Sequence, residues 1–521
     1  MPSTGEGPVT VSGHRAARAL AGLVSFGVVL GVGELLAVLI GPASSPFYAV
    51  GATTVDRAPA WAREFAIDTF GTSDKPALFI GMSVILAVLA VVAGLLEQPR
   101  RPRGGVVLAV LAAVGGYAAL SRPGATAVAA LPTVVGAVAG AVLLQYAVRL
   151  LAASGVRDDG TVTPAAWPRR RFLTVLGTAA AVAVAAGAAG RRLTDRLARA
   201  VEDRARFLIP RPARAAAPVP AGTEVTVPGA TPFLTSPAEF YRIDTALRVP
   251  RLRTADWQLR IHGMVEREVT LTWDDLAAFE PVERILTLTC VSNEVGGDLA
   301  GNARWIGYRM RDLLARAGVR ADADMLLSTS ADGFTCGTPV DAVLDGRDAL
   351  LAVAMNGEPL PFEHGYPARQ VVPGLYGYVS ATKWVVDWEL TRFDRAEAYW
   401  TKRGWAEQAP VRTASRIDVP AAFGRLGSGP VVVAGTAWAQ HRGIDRVEVR
   451  VDGGPWNEAV LAEEYSLDTW RQWTWRWDAT PGTHTLEVRA TDGEGRVQDE
   501  QRRPPIPDGA TGWHSRTVTV G

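Results

Sequence analysis

Cys290 closes the apolar run Ile285-Leu286-Thr287-Leu288-Thr289 and is followed at once by Val291-Ser292-Asn293. A loop leaving a buried strand is where a scaffold presents a reactive group, and a thiolate is a soft metal ligand once its proton is lost. Taken alone, Cys290 reads as the small buried hydrophobe that free cysteine commonly is. His364, Arg369 and Lys383 lie in Gly- and Pro-containing stretches downstream. Each by itself reads as a solvent-facing side chain. Cys336, in Gly333-Phe334-Thr335-Cys336-Gly337, reads as structural, and a Cys290–Cys336 disulfide stays open on sequence alone. With two cysteines in 521 residues and no C-x-x-C or C-x-x-C-H, zinc, iron–sulfur and covalent haem sites have no visible ligands.

The elements that must position these residues fall into distinct regions. Residues 230–403 mix strands (Leu259–Gly263, Ile285–Cys290) with a short helix over Met310–Ala317, which predicts an α+β domain with long active-site loops. Residues 404–521 predict an all-β, immunoglobulin-like sandwich. There Val447, Val449 and Val451 alternate with charged residues up to a hairpin signal at Asp452-Gly453-Gly454. Trp473, Trp475 and Trp477 share one strand face and are expected in the core. Net charge is +1 and the basic residues are interleaved with acidic ones, which argues against nucleic acid.

Residues 1–190 predict an all-α bundle of five transmembrane spans at roughly 19–41, 77–96, 105–121, 125–148 and 172–190. The third and fourth meet at a turn, Arg122-Pro123-Gly124. Loop arginines (Arg15, Arg18; Arg100, Arg101, Arg103; Arg149, Arg157, Arg169–Arg171) place the N-terminus in the cytoplasm and the later domains on the extracytoplasmic side. Arg191, Arg192, Arg196 and Arg199 work against that direction. Arg169-Arg170-Arg171-Phe172-Leu173 resembles a twin-arginine export signal, a route for domains that fold around a cofactor first. Retention as an anchor is expected over cleavage near Ala188-Ala189-Gly190. The spans carry no histidine, so haem within them is not expected, and Glu34 is an acid inside a span without a visible partner. Residues 191–209 read as an amphipathic helix with Leu193, Leu197, Val201 and Leu208 on one side, and 210–229 as a Pro- and Ala-rich linker.

An ordered series of motifs decides the reading of Cys290. Thr287-Leu288-Thr289-Cys290-Val291-Ser292-Asn293 resembles the molybdenum-ligating segment of the sulfite oxidase family, T-L-x-C-x-x-N. Phe240-Tyr241-Arg242 upstream is similar to its F-x-R element, and Gly301-Asn302-Ala303-Arg304-Trp305 to its G-x-A-R-W element. Met355-Asn356-Gly357, His364-Gly365-Tyr366-Pro367-Ala368-Arg369, Pro373-Gly374, Ala381-Thr382-Lys383-Trp384 and Ala398-Tyr399-Trp400 follow in family order. The resemblance covers about 230–521. It implies a molybdenum–molybdopterin cofactor with Cys290 as metal ligand, and His364, Arg369, Thr382, Lys383, Asn293 and Asp332 around the pterin and phosphate. Arg242 and Arg442 are implied as substrate-side arginines, and the C-terminal domain as a dimerisation surface.

The family's active-site tyrosine position holds Val353, and Glu294 and Val295 stand where animal and plant members carry arginines. Sulfite is therefore one candidate substrate among several. The resemblance implies two-electron oxygen-atom transfer on a small sulfur-containing or related oxyanion or oxide, with an external carrier protein or quinone as electron partner. An S- or N-oxide reductase of the same superfamily, or a catalytically silent membrane binding or assembly protein, is the alternative.

Overall fold

The computed structural model describes residues 11–70, 73–122, 125–152, 169–197 and 199–521. The chain divides into two compact units, Met1–Arg199 and Ala200–Gly521. Arg157 and the Pro123-Gly124 turn expected between the third and fourth spans lie outside the described residues.

The first unit contains α1 (Val11–Ile40), α2 (Pro46–Arg57), α3 (Ala60–Phe70), α4 (Asp74–Leu96), α5 (Arg103–Leu120), α6 (Leu131–Ala152) and α7 (Arg169–Leu197). Five stretches are long and apolar enough to cross a bilayer: Arg15–Ile40, Asp74–Leu96, Arg103–Leu120, Ala127–Ala152 and Arg170–Gly190. The short helices α2 and α3 had no counterpart in the sequence reading. Helix α1 packs against α4, α6 and α7. Small residues make this possible, because a Cβ at Gly22 would meet the Ala90 carbonyl of α4 at 2.0 Å and one at Gly136 the Val29 carbonyl at 2.4 Å. Large apolar side chains such as Ile80, Val84 and Val142 point outward. Glu34 is buried and has a partner after all, since Ser45 Oγ, which also caps α2, donates to its Oε1.

The second unit opens with α8 (Ala200–Arg206). The helix expected over 191–209 is therefore two pieces, the end of α7 and α8, with Val201 and Leu208 exposed. The following stretch is not a free linker. Ala213 donates to the Pro281 carbonyl (2.8 Å), Arg214 bridges Val282, and Val225 donates to Gln472 Oε1 (2.7 Å). Its composition reads as extended chain; the strand beside it supplies the hydrogen bonds that proline-rich sequence cannot make for itself.

The α+β domain holds two sheets. One runs in the order β2 (Val269–Thr272), β1 (Gln258–Gly263), β10 (Val385–Thr391), β5 (Met325–Ser330), β6 (Thr335–Pro339). The other runs β3 (Pro281–Thr289), β4 (Ala300–Arg309), β7 (Leu350–Met355), β8 (Glu358–Pro359), with β9 (Arg369–Val371) also on β7. Helices α9 (Met310–Ala315) and α10 (Val340–Leu344) complete it. The C-terminal sandwich pairs β11 (Ala414–Val419), β13 (Gly429–Trp438), β17 (Arg471–Ala479) and β16 (Val460–Leu461) in one sheet. The other sheet is β12 (Arg425–Leu426), β19 (His514–Val520), β18 (Gly482–Asp492), β14 (Ile444–Val451) and β15 (Asn457–Glu458). Trp473, Trp477, Val447 and Val449 are buried in its core, with Trp475 packed against it.

Candidate functional site

The last five residues of β3 are all buried, so the strand delivers Cys290 to the interior. Beyond it the loop is pinned: Cys290 N donates to the Leu299 carbonyl (2.9 Å), Asn293 N to the Cys290 carbonyl (3.1 Å), and Leu299 N to Asn293 Oδ1 (2.9 Å). Gly296, at φ +79°, lies so close to the His514 ring that a Cβ would sit 2.1 Å from it. Cys290 and Cys336 are both free, buried thiols.

Cys290 shares a narrow pocket of about 110 Å³ with Asp332, His364, Arg369 and Lys383. Pairing explains the convergence. Strand β9 runs antiparallel to β7 with Arg369 opposite Ala352, and Arg369 bridges Lys383 directly. Gly365 at φ +110° passes so close that a Cβ would stand 2.9 Å from Arg369 Cβ, which leaves glycine as the residue that fits.

The charges in this pocket are buried without full compensation. Arg369 lies over the Trp305 ring (5.2 Å) and donates only long bonds, 3.4–3.5 Å, to three backbone carbonyls. Among the described residues no carboxylate pairs with it, and burial pushes it down to about 10. Burial likewise takes Lys383 down to about 8 against the pull of Asp244, whose Oδ2 it meets at 2.7 Å. His364 Nε2 donates to the Pro237 carbonyl (3.1 Å); burial, then the nearby Arg369, hold the ring neutral down to about 4. Burial raises the Cys290 thiol, and hydrogen bonds from Ser292 partly offset this. Among the described residues no three His, Cys, Asp or Glu side chains converge as a metal-binding cluster. A metal at Cys290 would bring most of its own ligands, and an anionic group carrying them would meet an unpaired guanidinium. A cofactor of sulfur, metal and phosphate fits this donor set.

The other expected residues stand differently. Thr382 turns its hydroxyl to Ser328 Oγ (2.7 Å), outside the pocket lining; its carbonyl accepts from Gln370 N (2.8 Å). Arg242 is half-exposed and bound to Asp244 (2.9 Å). Asn293 and Arg442 line a second, larger cleft of about 710 Å³ that begins at Thr289 and includes residues of both soluble domains. Arg442 is clamped there, to Asp492 (2.9 Å), the Val411 carbonyl (3.0 Å) and Thr413 Oγ1 (3.1 Å).

Sequence reading missed Tyr241, Asp244 and Tyr376. Tyr241 stacks on Phe240 (5.1 Å) in the Cys290 pocket, and burial raises its phenol. Asp244 holds Arg242 and Lys383 together. Tyr376 lines the cleft, and burial pushes it up to about 12. Val353, at the position of the family tyrosine, is wholly buried in β7, so the phenols near the thiol come from other elements. Their signal was adjacency to the Phe240 and Pro373-Gly374 motifs.

The chain belongs to the sulfite oxidase family of molybdopterin-dependent oxidoreductases. Residues 246–400 match the family model for an oxidoreductase molybdopterin binding domain, and 415–488 that for a bacterial Ig domain. An uncharacterized oxidoreductase of Bacillus subtilis, YuiH, is 34% identical over 149 residues, 29% of this chain and 72% of that protein. Mitochondrial sulfite oxidase of Mus musculus is 31% identical over 281 residues, 44% of this chain. The match spans about half the length of that relative (50%). The sulfane dehydrogenase SoxCD from Paracoccus pantotrophus superposes with a TM-score of 0.46 at 27% identity, over 52% of this chain and 77% of that one.

Proposed function

We propose that the chain is a membrane-anchored molybdenum enzyme that carries out two-electron oxygen-atom transfer on a small sulfur-containing or related oxide or oxyanion. The observation that carries this is the buried Cys290 thiol sharing one pocket with Arg369, a buried cation lacking a carboxylate partner among the described residues. When bound, the cofactor supplies a metal centre able to exchange an oxygen atom and two electrons with substrate. Cys290 is the protein's ligand to the metal. Arg369, Lys383, His364 and Asp332 would hold the pterin and its phosphate. Asn293 fixes the loop that carries the thiol, Thr382 contributes backbone, and Arg242 and Arg442 stand on the substrate side. Reducing an oxide consumes two electrons and two protons and releases water; oxidation runs the reverse. An external carrier protein or quinone exchanges the electrons.

The five apolar helices support membrane anchoring, and the arginine pattern supports a cytoplasmic N-terminus with the catalytic domains outside. The C-terminal sandwich is the surface for a homodimer. Metal analysis tests the core of the reading: purified protein from cofactor-competent cells should hold near-stoichiometric molybdenum, and protein lacking it would end the proposal. An Arg169/Arg170→Lys pair should leave the soluble domains inside the cell, read by protease accessibility in intact cells; domains still digested would reject the export assignment.

A further inference from the structure

The larger cleft beginning at Thr289 has an electrostatic make-up at odds with capture of a small anion. Among the described residues seven carboxylates line it, against four arginines and no lysine, and one of the seven, Asp499, pairs with Arg503 outside the lining (3.6 Å). Every one of those arginines is already held by a lining carboxylate: Arg347 by Asp345 (2.6 Å), Arg412 by Asp508 (2.5 Å), Arg442 by Asp492 (2.9 Å), and Arg496 by Asp492 (3.4 Å) and Glu494. An oxyanion would have to displace a carboxylate, and in the case of fully buried Asp492 would take away its nearer cation. Glu294, exposed and four residues past the thiol, is the member of the seven nearest to it in sequence.

A second, independent feature points the same way. Gln440, 1% exposed, lines the cleft, and its Nε2 donates to Thr289 Oγ1 (2.7 Å) and the Thr287 carbonyl (3.4 Å). A carbonyl can only accept, so this fixes which end of the amide faces the strand. The other end, Oε1, is buried with no hydrogen-bond partner among the described residues. It is an unsatisfied acceptor on a side chain whose other end holds Thr289, the residue before Cys290. The cleft's volume, about 710 Å³, lies within the roughly 300–1,000 Å³ that receives drug-sized organic ligands.

We infer that this cleft receives an organic S- or N-oxide, or its reduced partner, bearing a hydrogen-bond donor or positive charge, and that it turns away small oxyanions. The inference rests on the oxidoreductase reading above and narrows its substrate class. Gln440 Oε1 takes the donor, the surplus carboxylates favour a cation, and the paired arginines offer an anion no open site.

Isothermal titration of the full-length, detergent-solubilised protein of known molybdenum content tests this. The ligands are sulfate, as an unreactive oxyanion, and two matched sulfoxides, one aminoalkyl and one carboxyalkyl. Sulfate should give no heat up to about 10 mM, and the amine should bind at least about tenfold more tightly than the acid. Glu294→Gln, a change on an exposed loop, should shrink that preference about threefold. Asp508→Asn, which unmasks Arg412, should create measurable sulfate binding; Asp345→Asn repeats the test at Arg347. Sulfate binding to the unaltered protein, equal affinity for the two sulfoxides, or no binding of either would overturn the inference. Absence of molybdenum with the binding order intact would strike only the oxidoreductase reading.

Discussion

The Cys290 pocket and the larger cleft, lined by the consecutive residues Cys290 and Thr289, use the same residue types in opposite states. In the Cys290 pocket Arg369 is buried with only long bonds to carbonyls, and Lys383 shares its one carboxylate, Asp244, with Arg242. In the neighbouring cleft every arginine is matched to a lining carboxylate. Leaving a buried cation unpaired costs stability, so such an arrangement persists where a ligand's charge completes it. Pairing every cation removes that demand and leaves shape, surplus negative charge and the open Gln440 acceptor to choose what enters. One cavity is built to retain an anion and its neighbour to admit something else.

Four measurements would break or sharpen this contrast. Cys290→Ser acts on the pocket alone: turnover should fall by more than about a hundredfold, and X-ray absorption at the molybdenum edge should lose one sulfur neighbour. An unchanged sulfur count would remove Cys290 as ligand. Arg442→Leu takes from fully buried Asp492 its nearer cation, leaving Arg496 at 3.4 Å, and should destabilise the protein by about 3 kcal/mol in denaturant titration.

The histidines come next. His364 of the pocket and His514, which packs on Gly296 of the cleft wall, are both held neutral down to about 4, chiefly by burial. The unfolded chain takes up these protons below about pH 6.5, so stability is full above that pH and is lost as pH falls towards 4. For His514, whose Nδ1 accepts from Ile417 N (2.9 Å), the loss should be about 2–3 kcal/mol. His514→Asn, which keeps an acceptor, should flatten the thermal profile over that range; an unaltered pH slope would contradict the assignment. Arg369→Leu gives the smallest effect and the opposite sign to Arg442→Leu. Cofactor-free protein should gain about 1–2 kcal/mol, because an unpaired buried charge is gone, while cofactor content collapses. Destabilisation comparable to that of Arg442→Leu would erase the distinction between the cavities.

How far these features were legible in the sequence depends on their range. The strand leading to Cys290 announced itself because an apolar run of nearest neighbours is enough to specify it. The five long apolar helices did so for the same reason, whereas α2 and α3 are short and mixed in character. His364, Arg369 and Lys383 were legible as an ordered set, although Thr382 turned out to lend its backbone and face its hydroxyl to Ser328. Asp244 was not: its bond to Lys383 spans 139 positions, and nothing local distinguishes a carboxylate that will be buried from one that stays in water. The state of Arg442 was hidden likewise, since its partner Asp492 lies 50 residues away. For residues 210–229 the hydrogen bonds to β3 and β17 were not legible, because composition reports what a segment cannot do alone and says nothing of the strand that completes it.

The way the sandwich grips β3 has a consequence for how the protein unfolds. Thr287 donates from its backbone to the Asp468 carbonyl (2.9 Å) and accepts at Oγ1 from Trp470 N (2.8 Å). Gln440 holds Thr289, and Arg416 donates to the Gly297 carbonyl (2.7 Å). The strand that positions the thiol is thus completed by the C-terminal domain, and the sequence boundary near residue 404 is not a folding boundary. Calorimetry of the soluble portion should show one transition in place of two, and a chain ending after the α+β domain should have its thiol loop open to exchange with solvent deuterium. Each change along the gripping edge is therefore also a change in how firmly the Cys290 loop is held.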